Sequence, residues 1–312
     1  MTIYELGETT IVSQIIRRLN IEFEDCAVLN LTDSEYLVAT TDMFHQTTDF
    51  PEGITPWQIG WMCAAGTLSD IAAMGAHPCG LLVAMGMPDI EPEFLDSMID
   101  GISACARRSK TTIIGGDTDS HQELTITGTA IGRVPKDLIL LRKGASVGDL
   151  VCTTGCPGTA GAGMAELRLQ RGAGDSFAIK KFLEPIPLIR EGISLAESKS
   201  VTSMMDNSDG LALSLYQLAE INGCGFGIRA DSLPVPAISD PDMDPGFARD
   251  LAMYAGGDFE LLFTVAPERL PDAEDACELT VIGTVTAEGT GVFLEGDTTT
   301  EIERRGYRSL RC

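Results

Sequence analysis

Six aspartates recur where the chain is expected to change direction: Asp25, Asp42, Asp70, Asp117, Asp206 and Asp209, each at the end of a strand or beside a helix start. One such residue is an ordinary cap or turn. Several together mean more, because clustered carboxylates repel unless a cation sits among them. Hard oxygen donors without His or Cys suit magnesium rather than zinc. Open α/β sheets gather ligands outside the carboxyl ends of their strands, so Asp42, Asp117 and Asp206 are expected to converge on one crevice. Such a cluster fits a magnesium nucleotide.

The overall charge agrees with that chemistry. The 312 residues carry 22 Lys+Arg against 46 Asp+Glu, a formal net charge of −24. A surface this negative repels nucleic acid and anionic lipid, so a phosphorylated ligand has to be met through divalent cations. Other catalytic chemistries lack their parts. There is no P-loop, no Gly-x-Gly-x-x-Gly opening a helix after the first strand, and no protein-kinase catalytic loop. A Gly-x-Ser-x-Gly elbow is missing too, and three histidines leave few bases for a serine triad or a Cys–His pair. The nine cysteines include no Cys-x-x-Cys pair, which predicts reduced thiols and a cytoplasmic setting. No leader is expected at Met1 to Leu6, and prolines, glycines and His77 interrupt the apolar run Ile71 to Pro88 before it could span a bilayer.

The elements that must carry these residues follow from periodicity. Ile11, Ile15, Ile16 and Leu19 lie at helical spacing within Glu8 to Leu19, and Tyr36 to Thr41 reads as a strand running into Asp42. Thr55-Pro56 starts a helix that continues to Met74 and stops at Gly75, placing Asp70 late in it. A buried strand at Leu81 to Ala84, a helix from Glu91 to Ser109, a short strand Thr111 to Ile114 ending in Gly115-Gly116-Asp117, and an alternating strand Leu124 to Ile131 follow. Length predicts roughly two domains of about 150 residues, with the boundary at Gly144 to Asp149, giving units 1–143 and 144–312. The second unit reads as a strand at Leu150 to Thr154, a glycine-rich turn Gly155 to Gly163, a helix opened by Ser208-Asp209-Gly210 and a proline-rich loop Pro234 to Pro245. It continues with a helix to Tyr254 and strands at Phe259 to Val265 and around Val281 to Gly283. Both halves carry Gly-Gly-Asp followed by Ile-Gly-x-Val, at 131–134 and 282–285, which suggests two related α/β units. Trp57 and Trp61 read as helix packing or a dimer face, Met85 and Met87 as core, and His45 and His121 as loop residues.

Thr40-Thr41-Asp42-Met43, Leu68 to Pro78 with its Ser-Asp-Ile-Ala-Ala-Met-Gly-Ala core, Gly115-Gly116-Asp117-Thr118, Arg142-Lys143-Gly144-Ala145 and Asp206-Asn207-Ser208-Asp209-Gly210-Leu211 resemble, in order, the motifs of thiamine-monophosphate kinases. The same superfamily includes aminoimidazole ribonucleotide synthetase, selenophosphate synthetase and a hydrogenase maturation factor ending in cysteine. The resemblance implies two α/β domains, the N-terminal sheets pairing across a homodimer and the C-terminal domain a mixed α/β unit, with ATP in a cleft at the interface. It implies magnesium at Asp25, Thr40, Thr41, Asp42, Asp70, Asp117, Asp206 and Asp209, ATP contacts at Gly116, Asp117, Arg142 and Ser208, and catalytic roles for Asp42, Asp117, Arg142 and Asp209. The implied activity is in-line transfer of a phosphoryl group from ATP to a phosphorylated small molecule, first thiamine monophosphate.

Departures from the pattern fall mainly on the acceptor side. Phe23-Glu24-Asp25 replaces Gly-Asp-Asp, Asp49-Phe50 stands where a substrate-holding histidine is expected, and Gly257 takes the place of a glutamate. The terminal aromatic that would meet the substrate ring falls at about Leu310. Two alternatives follow: another ATP-driven reaction of the superfamily, including dehydration at Cys312, or a nonenzymatic ATP-binding regulator.

Overall fold

The computed structural model describes residues 7–169, 176–237, 245–289 and 291–307. After helix α1 (Glu8–Leu19), the first unit forms around one long helix, α2 (Pro56–Ala73). Thr55 caps it: its hydroxyl accepts from the Gln58 N–H, and the Gln58 side chain accepts from the Thr55 N–H, with Pro56 in the first turn. The helix is buried along nearly its whole length. Small residues let its neighbour α3 (Pro92–Arg108) approach; a Cβ at Gly60 would stand 1.9 Å from the Met98 carbonyl oxygen, and one at Gly101 the same distance from that of Trp57. Trp57 and Trp61 stack at 5.0 Å, and Trp61 Nε1 donates to the Pro185 carbonyl, so the pair is helix packing.

Beside α2 lies a five-stranded sheet of β1 (Ala27–Asn30), β2 (Glu35–His45), β3 (His77–Met87), β4 (Ile113–Ser120) and β5 (Thr125–Pro135), ordered β1-β2-β5-β3-β4. Only β3 and β4 run parallel in it. Two strands outrun their expected ends. Asp42 lies inside β2, three residues before its last, and Asp117 lies inside β4 rather than at its tip. Glycine reads as a stop, but here it is what pairing requires: a Cβ on Gly116 would meet the Val83 carbonyl oxygen at 1.9 Å.

The second sheet has the order β12-β11-β8-β10-β6-β9-β7, from β6 (Leu150–Thr153), β7 (Val201–Asp206), β8 (Cys224–Arg229), β9 (Leu261–Val265), β10 (Thr280–Glu288), β11 (Val292–Glu295) and β12 (Thr300–Glu301). Its helices are α4 (Thr159–Arg168), α5 (Phe177–Leu183), α6 (Ile189–Ser198), α7 (Leu211–Asn222), α8 (Pro245–Tyr254) and α9 (Leu270–Ala276). The glycine-rich turn ends early, because Thr159 onward is helical. Asp258 reaches across to accept from the Gly158 and Ala160 N–H groups at 2.6 and 2.7 Å, satisfying donors that a helix start leaves free. Gly163 then gives α5 room, a Cβ there standing 2.1 Å from the Ala178 carbonyl. The Ile-Gly-x-Val motifs both fall in strands paired on two sides, β5 and β10. The Gly-Gly-Asp motifs do not correspond, one lying in β4 and the other in the loop before β9. Residues 238–244 of the proline-rich stretch, and Leu310 and Cys312, lie outside the described residues.

One core joins the two units. Leu68, Ile71 and Met74 of the first cluster with Leu195, Met204 and Phe263 of the second. Helix α6 presses on α2, where a Cβ on Gly192 would come within 2.1 Å of the Ala72 carbonyl. Among the described residues no helix is long and apolar enough to cross a membrane.

Candidate active site

Three carboxylates from three elements meet where the units join. Asp25 precedes β1, Asp70 lies in the last turn of α2 and Asp206 ends β7, and one oxygen of each lies within 4.8 Å of the others. Neighbouring hydroxyls fix them. Thr40 Oγ1 donates to Asp70 Oδ2 at 2.5 Å, Ser69 Oγ to Asp206 Oδ2 at 3.0 Å and Ser208 Oγ to Asp206 Oδ1 at 3.1 Å. Asp25 Oδ1 takes two bonds from Arg142, from Nη2 at 2.5 Å and Nε at 3.2 Å, while Asp25 Oδ2 is buried without a partner.

The electrostatics follow from this crowding. Burial, then the charges of Asp42, Asp206 and Asp25, push Asp70 well above the carboxylate range, against the Thr40 hydrogen bond. Asp206 rises to about 8, chiefly by burial and by Asp25, with Arg142 and Ser69 opposing. Asp42 rises to about 6 through burial, Asp209 and Asp25. Burial works against the Arg142 charge, but the charge and hydrogen bond of Asp25 raise its pKa above the ordinary value. Its guanidinium lies over the Phe23 ring at 4.6 Å and reaches Gln217 Oε1 at 3.2 Å. Glu24 Oε2 accepts from the Arg142 backbone N–H at 2.7 Å. Carboxylates made costly by one another, with one oxygen orphaned in the interior, are a donor set suited to a hard divalent cation.

Of the expected site residues, Asp42 and Asp209 thus stand in the electrostatic neighbourhood of the triad, and Thr40 is bonded into it. Thr41 is not directed there. Successive strand residues face opposite ways, and its hydroxyl bonds the Gly128 carbonyl and Thr129 on the other face. Asp117 does not join the cluster within this chain. It is exposed on edge strand β4, three strand positions from β2, or about 14 Å at the usual strand spacing. Gly116 beside it serves the β3–β4 pairing. Arg142 is 8% exposed and committed to Asp25 and Gln217. Asp49 is engaged by the protein: Oδ2 accepts from the His45 N–H and Thr48 Oγ1, and Oδ1 from Tyr307. Gly257 has φ +90°, a region that disfavours a side chain, and its N–H donates to the Ser208 carbonyl.

Three participants escaped the sequence reading. Ser69 had a signal, its adjacency to Asp70. Gln217 is two helical turns past Asp209 on α7, a spacing that could have found it. Tyr307 had none.

Residues 23–134 match the family described as AIR synthase related protein, N-terminal domain, and 146–295 match its C-terminal domain. A thiamine-monophosphate kinase from Methanospirillum hungatei is 40% identical over 284 residues, covering 91% of this chain and 92% of the relative. The chain belongs to the thiamine-monophosphate kinase family. The Escherichia coli thiamine-monophosphate kinase is 33% identical over 304 residues, covering 93% of this chain and 92% of its own. Among solved structures, "AaThiL complexed with AMPPCP and TMP" superposes with TM-score 0.89 at 26% identity over 99% of both chains. The hydrogenase maturation protein HypE in complex with ATP, at 19% identity and TM-score 0.73 over 100% of both chains, shares the fold alone.

Proposed function

We propose that this chain transfers a phosphoryl group from ATP to the phosphate of thiamine monophosphate, with magnesium held by Asp25, Asp70 and Asp206 and flanked by Asp42 and Asp209. The observation that carries the reading is the meeting of three carboxylates within 4.8 Å around an unpartnered, buried Asp25 oxygen. Bound magnesium would neutralise phosphate charge and hold the reacting oxygens in line. The acceptor needs no general base from the chain, because a phosphate monoester is already largely dianionic at neutral pH. The protein's work is positional. Arg142 orients Asp25, Ser69 and Ser208 fix the rotamer of Asp206, and the start of α7 offers N–H groups and its positive end to an anion.

Asp117 enters this reading through a second copy. The first sheet exposes Met43 on β2 and Ile114 on its edge strand β4, and pairing there in a homodimer would bring Asp117 and Gly116 of one subunit to the nucleotide of the other. The boundary near residue 144 separates the two sheets in the same reading. A reducing, cytoplasmic setting is supported by the eight free cysteines among the described residues.

The test is an acceptor panel with ATP and magnesium. Formation of thiamine diphosphate is expected. ATP turnover with a different acceptor alone would replace the substrate and keep the class; magnesium-dependent ATP binding with no turnover would leave a regulator. Mixing D117N with D42N chains, each inactive, should recover roughly a quarter of wild-type activity if sites are shared between subunits.

A further inference from the structure

Helix α7 meets the acidic site at one end and the Arg142 turn at the other. Asp209 stands two residues before the helix, its carbonyl held by the Tyr307 N–H at 2.8 Å. At the far end Asn222 spends its whole amide. Oδ1 accepts from the Gly144 and Ala145 N–H groups at 2.7 and 3.0 Å, and Nδ2 donates to the carbonyls of Arg142 and Leu218, both at 2.9 Å. Glu24 takes the Arg142 N–H at 2.7 Å, and a Cβ on Gly144 would meet the Thr202 carbonyl oxygen at 2.0 Å, so this stretch of backbone has one path. Gln217 lies between the two ends and is buried, 9% exposed. Its Oε1 accepts from Arg142 Nη1 at 3.2 Å, and its Nε2 donates to Asp209 Oδ2 at 3.5 Å. A guanidinium offers only donors and an ionised carboxylate only acceptors, so the amide fits between them in a single orientation.

We propose that Gln217 is a positioning residue for the magnesium site, an uncharged strut that aims the Asp209 carboxylate by reference to Arg142 and, through Arg142, to Asp25. This deepens the kinase reading above and rests on it. The backbones of Asp209 and Arg142 are pinned by Tyr307, Glu24 and Asn222, which confines the amide's task to the two side chains. Its neutrality matters. A carboxylate at 217 would repel Asp209, and a cation there would pair with it in place of a metal. The amide orders both groups and leaves unchanged the charge that the cluster presents to a divalent ion, as an outer partner of a metal-binding carboxylate should. An apolar side chain of the same length would take this acceptor from Arg142 Nη1 and this donor from Asp209 Oδ2.

The experiment compares Q217M, D209N and the double variant in the full chain. The melting temperature is followed as magnesium is titrated at fixed ATP, which reads binding whether or not turnover occurs. The magnesium concentration giving half the stabilisation should rise about tenfold in Q217M. In kinetics with thiamine monophosphate the magnesium needed for half-maximal rate should rise by a similar factor, with the acceptor KM within about twofold of wild type. The double variant should bind magnesium no more weakly than D209N, because Gln217 acts through that carboxylate. A glutamine that only fills space predicts otherwise, since methionine matches its length. Q217M titrating like wild type, or effects that multiply in the double variant, would overturn the strut. Should Q217M fail to fold, Q217N, one methylene too short to reach both groups, carries the same expectation. If the wild-type chain makes no thiamine diphosphate, the acceptor reading falls by itself and the magnesium titration still decides the strut; a wild-type chain that ignores magnesium rejects it.

Discussion

Arg142 spends two of its nitrogens on a single oxygen of Asp25, Nη2 at 2.5 Å and Nε at 3.2 Å, and leaves the second oxygen buried with no partner. The pair thus does two jobs with one carboxylate. One oxygen is fixed by a permanent cation, and the other is the one that the proposed magnesium would meet.

Replacing Arg142 by Met strands that carboxylate in the interior. A buried ion pair broken on one side costs about 3–5 kcal/mol, so the urea midpoint of R142M should fall sharply. The companion R142M/D25N should recover part of the loss, and a midpoint for R142M equal to wild type would contradict the arrangement.

Asp206→Asn separates stability from activity. Without metal, removing one of several mutually repelling buried carboxylates should raise the melting temperature, by an amount equivalent to about 1 kcal/mol. In the same variant the stabilisation by magnesium should disappear, and phosphoryl transfer should drop by a factor on the order of 100 or more. Scanning calorimetry in chelator and in magnesium reads the first two effects, and an ATP-coupled assay the third.

The raised carboxylates set a pH dependence with a definite sign. Asp206 moves from 3.8 to about 8, Asp42 to about 6, and burial takes Glu24 and Asp258 to about 7. The folded chain therefore holds more protons than the unfolded one across this range, so their contribution is fully present below pH 3.8 and is lost as pH rises through about 8. Metal-free protein should lose stability from this source between those limits. Protons compete with the metal for the same oxygens, so the magnesium-induced gain in melting temperature should grow over the same interval. A gain that is flat with pH would count against Asp206 and Asp42 as part of the metal site.

Gly60→Ala forces a methyl group into a space 1.9 Å from the Met98 carbonyl, where the α2 and α3 backbones cross. Overpacking of this kind costs about 1–3 kcal/mol. Because Asp70 sits in the last turn of α2, chemical denaturation should show the loss together with weaker magnesium stabilisation.

What could be read in the residues, and what could not, divides along physical lines. The acidic set was legible because carboxylates without counter-charges need a reason to gather, and α2 announced itself through Thr55-Pro56 at its start and Gly75 at its end. Strand parity alone turns the Thr41 hydroxyl away from the side on which Thr40 and Asp42 lie. Asp117 was placed at a strand end because Gly115-Gly116 looks like a stop, whereas the reason for glycine, the Val83 carbonyl, belongs to another strand and leaves no mark nearby. The contact of Tyr307 with Asp49 was invisible for the same reason: the partners are 258 positions apart, and no local pattern encodes such a meeting. Helix α5 and several strands of the second sheet are too short to show a period of their own, whereas α6 does carry helical spacing, with Ile189, Gly192, Leu195 and Ala196 on its buried side.

The contact of Gly192 with the Ala72 carbonyl has a bearing on how this protein can be recombined. A hybrid that joins the front half of one relative to the rear half of another inherits an ill-fitting seam unless both parents keep a residue without a side chain at that crossing. Their two halves are matched parts, and successful exchange has to carry α6 along with the helix it rests on.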